Sequence, residues 1–140
     1  MSFDDFNFIS DKLRLEFDEF WSEQNLKSEF ENLNSKCIVA KYNNEPVGFV
    51  CIWKGFEEYH ITNIVTRKDF RKRGIGTVLL NRTICFCKEQ GKNTSIILEV
   101  NEKNLSAQKL YEKFNFQIIG IRKKYYNNID DAIIMKLEVN

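Results

Sequence analysis

Tyr59-His60-Ile61-Thr62-Asn63-Ile64-Val65-Thr66 runs, after four residues, into Arg71-Lys72-Arg73-Gly74-Ile75-Gly76-Thr77-Val78-Leu79. The first eight are rich in β-branched and aromatic side chains and read as a strand. From Ile75 onward the period changes. Ile75, Val78, Leu79, Thr83 and Phe86 recur at helical spacing, and Gly91 stops the helix. A strand therefore feeds an amphipathic helix through a basic turn with two glycines.

Such a turn suits a pyrophosphate. The first helical N–H groups have no intrahelical partner and carry partial positive charge. Gly74 and Gly76 let a ligand approach the backbone closely, and the flanking Arg and Lys add charge. It is not a P-loop, because no Lys-Ser/Thr follows the second glycine, and Leu79 breaks a G-x-G-x-x-G pattern. An ordinary strand-to-helix turn with solvated basic residues explains the same letters equally well. A nucleic-acid patch of Arg67, Lys68, Arg71, Lys72 and Arg73 ranks below both, since no aromatic platform interleaves with these charges.

Upstream, Lys36–Tyr42 and Val47–Trp53 read as strands around an Asn43-Asn44-Glu45 turn, which makes a meander with Tyr59–Thr66. Before them, Asp11–Phe20 carries Leu13, Phe17 and Phe20 at helical spacing. Ser22 reads as the N-cap of a helix holding Leu26, Phe30 and Leu33. Phe6-Asn7-Phe8-Ile9 reads as a short strand. Downstream, Ile96–Val100 is an apolar run of the kind buried on both faces. Asn104 caps a helix with Ala107, Leu110, Tyr111 and Phe114. Phe116–Lys124 and Ala132–Val139 are strands joined around Asn127-Asn128. Strand, helix, strand, helix, strand implies a parallel pair inside a mixed sheet. The expected fold is a mixed α/β (α+β) domain over residues 1–140, with six or seven mostly antiparallel strands and one parallel pair.

Composition narrows the function. With 43% apolar and 29% charged residues in 140, the chain is globular and large enough for one core. Net charge is +1, so no polyanionic partner is expected. The longest apolar run, Phe49–Trp53, is far short of the ~20 residues of a membrane helix, and Met1–Asp5 is acidic where a secretory signal is basic. The expectation is a soluble cytoplasmic protein. Cys37, Cys51, Cys85 and Cys87 form no C-x-x-C pair and are expected as free thiols filling core space, Cys85 and Cys87 on different helix faces. With His60 the sole histidine, neither a zinc site nor a Ser-His-Asp triad is supported.

Two residues stand out chemically. Glu99, late in Ile96–Val100, is expected to be partly desolvated, which raises its pKa and suits it to act as a base. The alternative is a carboxylate that meets water at a strand end. Tyr111 either fills core or serves as a phenolic proton donor.

Together these residues resemble the GCN5-related N-acetyltransferase (GNAT) superfamily, whose Arg/Gln-x-x-Gly-x-Gly/Ala signature matches Arg71–Gly76 preceded by Asn63–Thr66. The C-terminal half is similar to its RimI-like branch, the ribosomal-protein alanine N-acetyltransferases. The matching runs are Leu98-Glu99-Val100, Asn104, Ala107, Leu110-Tyr111-Glu112, Phe116, Arg122, Tyr125-Tyr126 and Asp131–Met135.

The resemblance implies a GNAT-type sheet with helices on both faces, its parallel pair, ending at Thr66 and Val100, splayed to admit the cofactor; it also implies acetyl-CoA as co-substrate, no metal, and transfer to an amine, foremost the N-terminal α-amine of a protein such as a ribosomal protein. A lysine side chain, a small-molecule amine and a non-catalytic CoA-binding module are the other readings. It implies Glu99 as proton acceptor and Tyr111 as proton donor. Ile64, Val65 and Thr66 would pair with the pantetheine arm, and a backbone N–H at a bulge there would hold the oxyanion. Lys72, Arg73, Gly74, Ile75, Gly76 and Thr77 would bind pyrophosphate, and Asn104 would make a further CoA contact. The chain departs from the pattern in three places. No clear first strand precedes Trp21, Asn115 replaces a glycine after the fourth helix, and one residue is added near Lys92–Thr94. Asn tolerates the left-handed cap, so the Asn115 turn is expected to survive.

Overall fold

Ser2 and Ser22 start the two N-terminal helices in the same way. Each hydroxyl accepts from the amide three residues on, and the side chain there, Asp5 or Asn25, accepts from the serine amide. Helix α1 spans Phe3–Lys12 and α2 spans Glu23–Glu31 in this computed structural model, which describes residues 1–18, 21–91, 94–126 and 129–139. The strand expected at Phe6–Ile9 lies inside α1. The Ser2 cap sets a helical start, and Ile9 joins Leu13 and Phe17, at intervals of four, on one buried face. The helix expected over Asp11–Phe20 becomes the end of α1 and a π turn, Leu13–Phe17, closed by Asp18 N–H donating to the Leu13 carbonyl at 2.7 Å. Phe20 lies outside the described residues. Leu33, expected on α2, falls beyond its end and is exposed.

Six strands follow: β1 (Ser35–Tyr42), β2 (Glu45–Lys54), β3 (Glu58–Thr66), β4 (Thr94–Asn101), β5 (Gln117–Tyr126) and β6 (Asp130–Val139). Asn43 and Asn44 both adopt left-handed φ, which gives the β1–β2 hairpin a turn that matches the twist of its strands. Helix α3 (Ile75–Gln90) connects β3 to β4, and α4 (Leu105–Lys113) follows β4. Asn115 takes φ +72°, so the turn after α4 survives without the glycine. Asn127 and Asn128, expected between the last two strands, lie outside the described residues. The sheet order is β1-β2-β3-β4-β6-β5; among the described residues only β3 and β4 are parallel.

Each face of the sheet has its own core. Val50, Ile52, Ile61, Ile96, Leu98 and Val100 pack against α3 and α4. Phe49, Cys51 and Val65 pack against Ile9, Leu13, Phe17 and Leu26. Ile97 and Glu99 are half-buried, so β4 alternates and is not sealed on both faces. Cys37, Cys51 and Cys87 are buried free thiols, whereas Cys85 sits on the exposed side of α3 and fills no core. Burial pushes the Cys87 thiol up to about 12. No helix among the described residues is long and apolar enough to cross a membrane.

Candidate active site

The parallel pair is short. β3 and β4 pair from Glu58–Ser95 to Ile61–Leu98 and then part. Beyond that point β3 continues to Thr66 paired only with β2, and β4 continues to Asn101 paired only with β6. The split coincides with a β-bulge in β3. Ile61 faces Ile52 and Asn63 faces Cys51, which leaves Thr62 as the extra residue, its hydroxyl donating to the Cys51 carbonyl at 3.2 Å. A bulge bends its strand away from a neighbour. The backbone edge of Ile64, Val65 and Thr66 therefore faces an open cleft.

The cleft leads to the glycine loop. Lys72 has φ +64° and Gly74 φ +84°, two left-handed residues that turn the chain into α3. A Cβ on Gly74 would meet nothing within 4 Å, so its surroundings are open. Gly74 caps α3 without a side-chain acceptor, and the first helical bond, from Val78 N–H to the Gly74 carbonyl, leaves the amides of Ile75, Gly76 and Thr77 without intrahelical partners. This is a fit for pyrophosphate. Gly76 has another duty as well: a Cβ there would lie 3.2 Å from Leu110 Cδ2 of α4.

Not all of the loop's positive charge is available to a ligand. Arg67 pairs with Asp69 through two bonds of 2.7 and 3.0 Å and lies over the Phe70 ring. The partners hold each other charged: Asp69 raises the pKa of Arg67, and Arg67 lowers that of Asp69. Arg71 donates to the carbonyls of Thr66, at 3.4 Å, and Phe17, at 3.3 Å, which ties the π turn to the end of β3. Asn104 caps α4, its Oδ1 accepting from Ala107 N–H at 3.1 Å.

Glu99 is the first residue of β4 past the last parallel pair. Leu98 and Val100 point into the α3–α4 core, so Glu99 projects from the opposite face. There Arg122 of β5 contacts it, Nη2 to Oε1, at 3.0 Å, and the same guanidinium lies 4.6 Å over the Tyr125 ring. The desolvation argument foresaw a half-buried carboxylate but not this partner. Tyr111 is buried in α4, its ring 5.9 Å from that of Phe116. A second carboxylate went unnoticed in the sequence. Asn63 Nδ2 donates to Asp18 Oδ2 at 2.8 Å, which brings the end of the π turn to the bulge. The only signal for it was an amide side chain inside the Asn63–Thr66 run.

Comparison with known proteins bears on the family and the fold. The model of the Acetyltransferase (GNAT) family matches residues 6–116. A ribosomal protein bS18-alanine N-acetyltransferase from Haemophilus influenzae is 38% identical over 107 residues, 74% of this chain and 70% of that protein. The crystal structure of the ribosomal-protein-S18-alanine N-acetyltransferase from Escherichia coli superposes with a TM-score of 0.90 at 26% identity, covering 100% of this chain and 91% of that one. A GNAT-family acetyltransferase from Elizabethkingia anophelis, solved with acetyl-CoA bound, superposes at 0.72 with 26% identity, covering 84% of this chain and 83% of that one. On these matches the chain belongs to the acetyl-CoA-dependent acetyltransferases of the GNAT family.

Proposed function

We propose that this enzyme, with residues 1–140 as one catalytic domain, acetylates the N-terminal α-amine of a protein, a ribosomal protein foremost. The observation that carries this reading is the position of Glu99, at the mouth of the cleft between β3 and β4 and on the face away from α4. The names of the bacterial relatives point to the same acceptor class.

In this reading the edge of Ile64, Val65 and Thr66 holds the pantetheine arm. The amides of Ile75, Gly76 and Thr77, with Lys72, Arg73 and Gly74, hold the pyrophosphate, and Asn104 adds a contact. A backbone N–H of β3 near the Thr62 bulge stabilises the oxyanion. Glu99, kept in place by Arg122, takes the proton from the amine, directly or through one water, as the nitrogen attacks the thioester carbon. Tyr111 gives its phenolic proton to the departing sulfur as the C–S bond breaks. The products are an amide and the free thiol of CoA, with no acyl-enzyme.

An α-amine has a pKa of about 7.7–8.0 against about 10.4 for lysine, so a single carboxylate base suits the α-amine better. The test uses two peptides, one with a free N-terminus and no lysine, the other N-terminally blocked with an internal lysine. Faster acetylation of the first supports the reading. Faster acetylation of the blocked peptide overturns it, and no thiol release with either peptide or with small amines would favour a CoA-binding module.

A further inference from the structure

Three of the four cysteines are buried, and two of these meet. Cys37 of β1 and Cys51 of β2 are direct cross-strand partners in an antiparallel pair. Such partners hold their Cα atoms about 4.5–5.5 Å apart. Both residues belong to the core on the α1 side of the sheet, and their sulfurs are hydrogen-bonded at 3.2 Å. A disulfide accepts Cα separations of about 4.4–6.8 Å and has an S–S bond of about 2.0 Å. The sulfurs thus need to close by about 1.2 Å, on strands whose backbones are already placed for the bond.

The two thiols are not equivalent. β1 is an edge strand, and Cys37 keeps 8% of its surface exposed. A surface pocket opens beside it, lined by Cys37 with Met1, Lys36, Ile38 and Val39 among others. Cys51, one strand further in, has no exposed surface. The Cys51 S–H, donating to the Cys37 sulfur, holds the Cys37 thiol below its ordinary value, against its burial. The same bond, with burial, pushes Cys51 well up. The thiolate is the reactive form, so Cys37 is the sulfur that reacts first and Cys51 the one that resolves it. Cys87 offers the contrast: it lies in the core on the other face of the sheet, and burial alone raises it. Two sulfurs are too few for a zinc site, and among the described residues no group of three or more His, Cys, Asp or Glu is placed to hold a metal.

We propose that Cys37 and Cys51 form an oxidation site, at which a hydroperoxide converts the folded protein's thiol pair into a cross-strand disulfide between β1 and β2. The Cys37 thiolate attacks one peroxide oxygen. The O–O bond breaks, and the hydroxide that leaves recovers the proton Cys37 had given up and becomes water. Cys37 is left as a sulfenic acid. The Cys51 sulfur then attacks the Cys37 sulfur. An S–S bond forms as the S–O bond breaks, and the hydroxyl leaves with the Cys51 proton as a second water. The two thiols lose two electrons and the peroxide gains them.

The experiment treats reduced, full-length Cys85→Ser protein with hydrogen peroxide under native conditions. The substitution removes the exposed thiol, which would otherwise cross-link two chains. Samples are alkylated in denaturant and mapped by mass spectrometry without reductant. Two of the three remaining thiols should disappear together, joined as one Cys37–Cys51 peptide pair, with a loss of two hydrogens from the intact mass. Dithiothreitol should restore both, and circular dichroism of the oxidised protein should match that of the reduced. Cys87 should react at least about tenfold more slowly. With Cys51→Ala added, oxidation should stop at an oxygen adduct on Cys37 that dimedone traps. With Cys37→Ser added instead, Cys51 should stay unreacted over the same time. A link that forms only in urea, Cys87 oxidised as fast as the pair, or Cys37 passing on to a sulfinic acid while Cys51 remains a thiol would each overturn the proposal.

Discussion

Arg122 reaches across β6 to contact Glu99, Nη2 to Oε1, at 3.0 Å. Its cross-strand neighbour on β6 is Ala132, itself paired with Asn101 of β4, so a small side chain lies along the path between the two strands. A half-exposed pair of this kind adds little to stability, about 0–1 kcal/mol. Its importance is in direction: it fixes where the carboxylate points.

Arg122→Leu should therefore be a kinetic rather than a stability variant. Turnover should fall about tenfold while the KM for acetyl-CoA holds, because the loop and cleft are untouched. Thermal unfolding should move by no more than about 1 kcal/mol. Steady-state kinetics with calorimetry on the same preparation would check both. Unchanged kcat would mean that Glu99 needs no such guide.

Glu99→Gln and Tyr111→Phe should each lower kcat by roughly 10²–10⁴-fold. The Glu99 variant should recover in part at alkaline pH, where an α-amine deprotonates unaided. Tyr111→Phe keeps the ring that packs on Phe116, so its circular dichroism and melting curve should match wild type. Wild-type turnover in that variant would make Tyr111 a core residue only.

The phosphate role of the α3 N-terminus needs a substitution that spares packing. Gly76 does not offer one, because any Cβ there crowds Leu110. Thr77, exposed in the first turn of α3, does. A carboxylate in a first turn favours the helix by about 0.3–1 kcal/mol, yet repels a bound phosphate. Thr77→Glu should leave the melting temperature equal or higher and weaken acetyl-CoA binding, as titration calorimetry would read. Unaltered affinity would move the pyrophosphate elsewhere.

Local chemistry was legible in the sequence and long-range contact was not. The glycine loop, the Ser22 and Asn104 caps and the Asn115 turn depend on neighbours a few residues apart, and all were read. The split of β3 from β4 was expected only from resemblance, since strand pairing is settled by residues far apart in sequence. The Phe6–Ile9 segment was misread because Phe6 and Phe8 alternate like a strand, while the Ser2–Asp5 capping box before them was overlooked. Arg122 on Glu99 and Asp18 on Asn63 join residues on separate elements, and no periodicity reveals such pairs.

Asp5 links stability to pH. Burial works to raise its pKa, but Lys41, 2.9 Å away, and the Ser2 cap outweigh burial and hold it below the usual carboxylate value. A depressed folded pKa means stabilisation that is fully present above the unfolded value of about 3.9 and lost as pH falls through the folded one. Asp5→Ala should cost about 1 kcal/mol at neutral pH, the usual worth of a cap. The gap from wild type should close below about pH 4 in urea melts at stepped pH. A gap that stays constant into acid would trace the loss to packing instead.

Among the described residues, four pairs, Glu58–Ser95 through Ile61–Leu98, make the backbone seam between two leaves of sheet, β1-β2-β3 and β4-β6-β5. Glu99 belongs to one leaf and Asn63 to the other. In the proposed mechanism the amine meets the thioester between these leaves, and the buried Ile61, Ile96 and Leu98 pack along the seam that joins them. Trimming one of these side chains should register first as a slower reaction and faster amide exchange along the seam, before any loss of the fold.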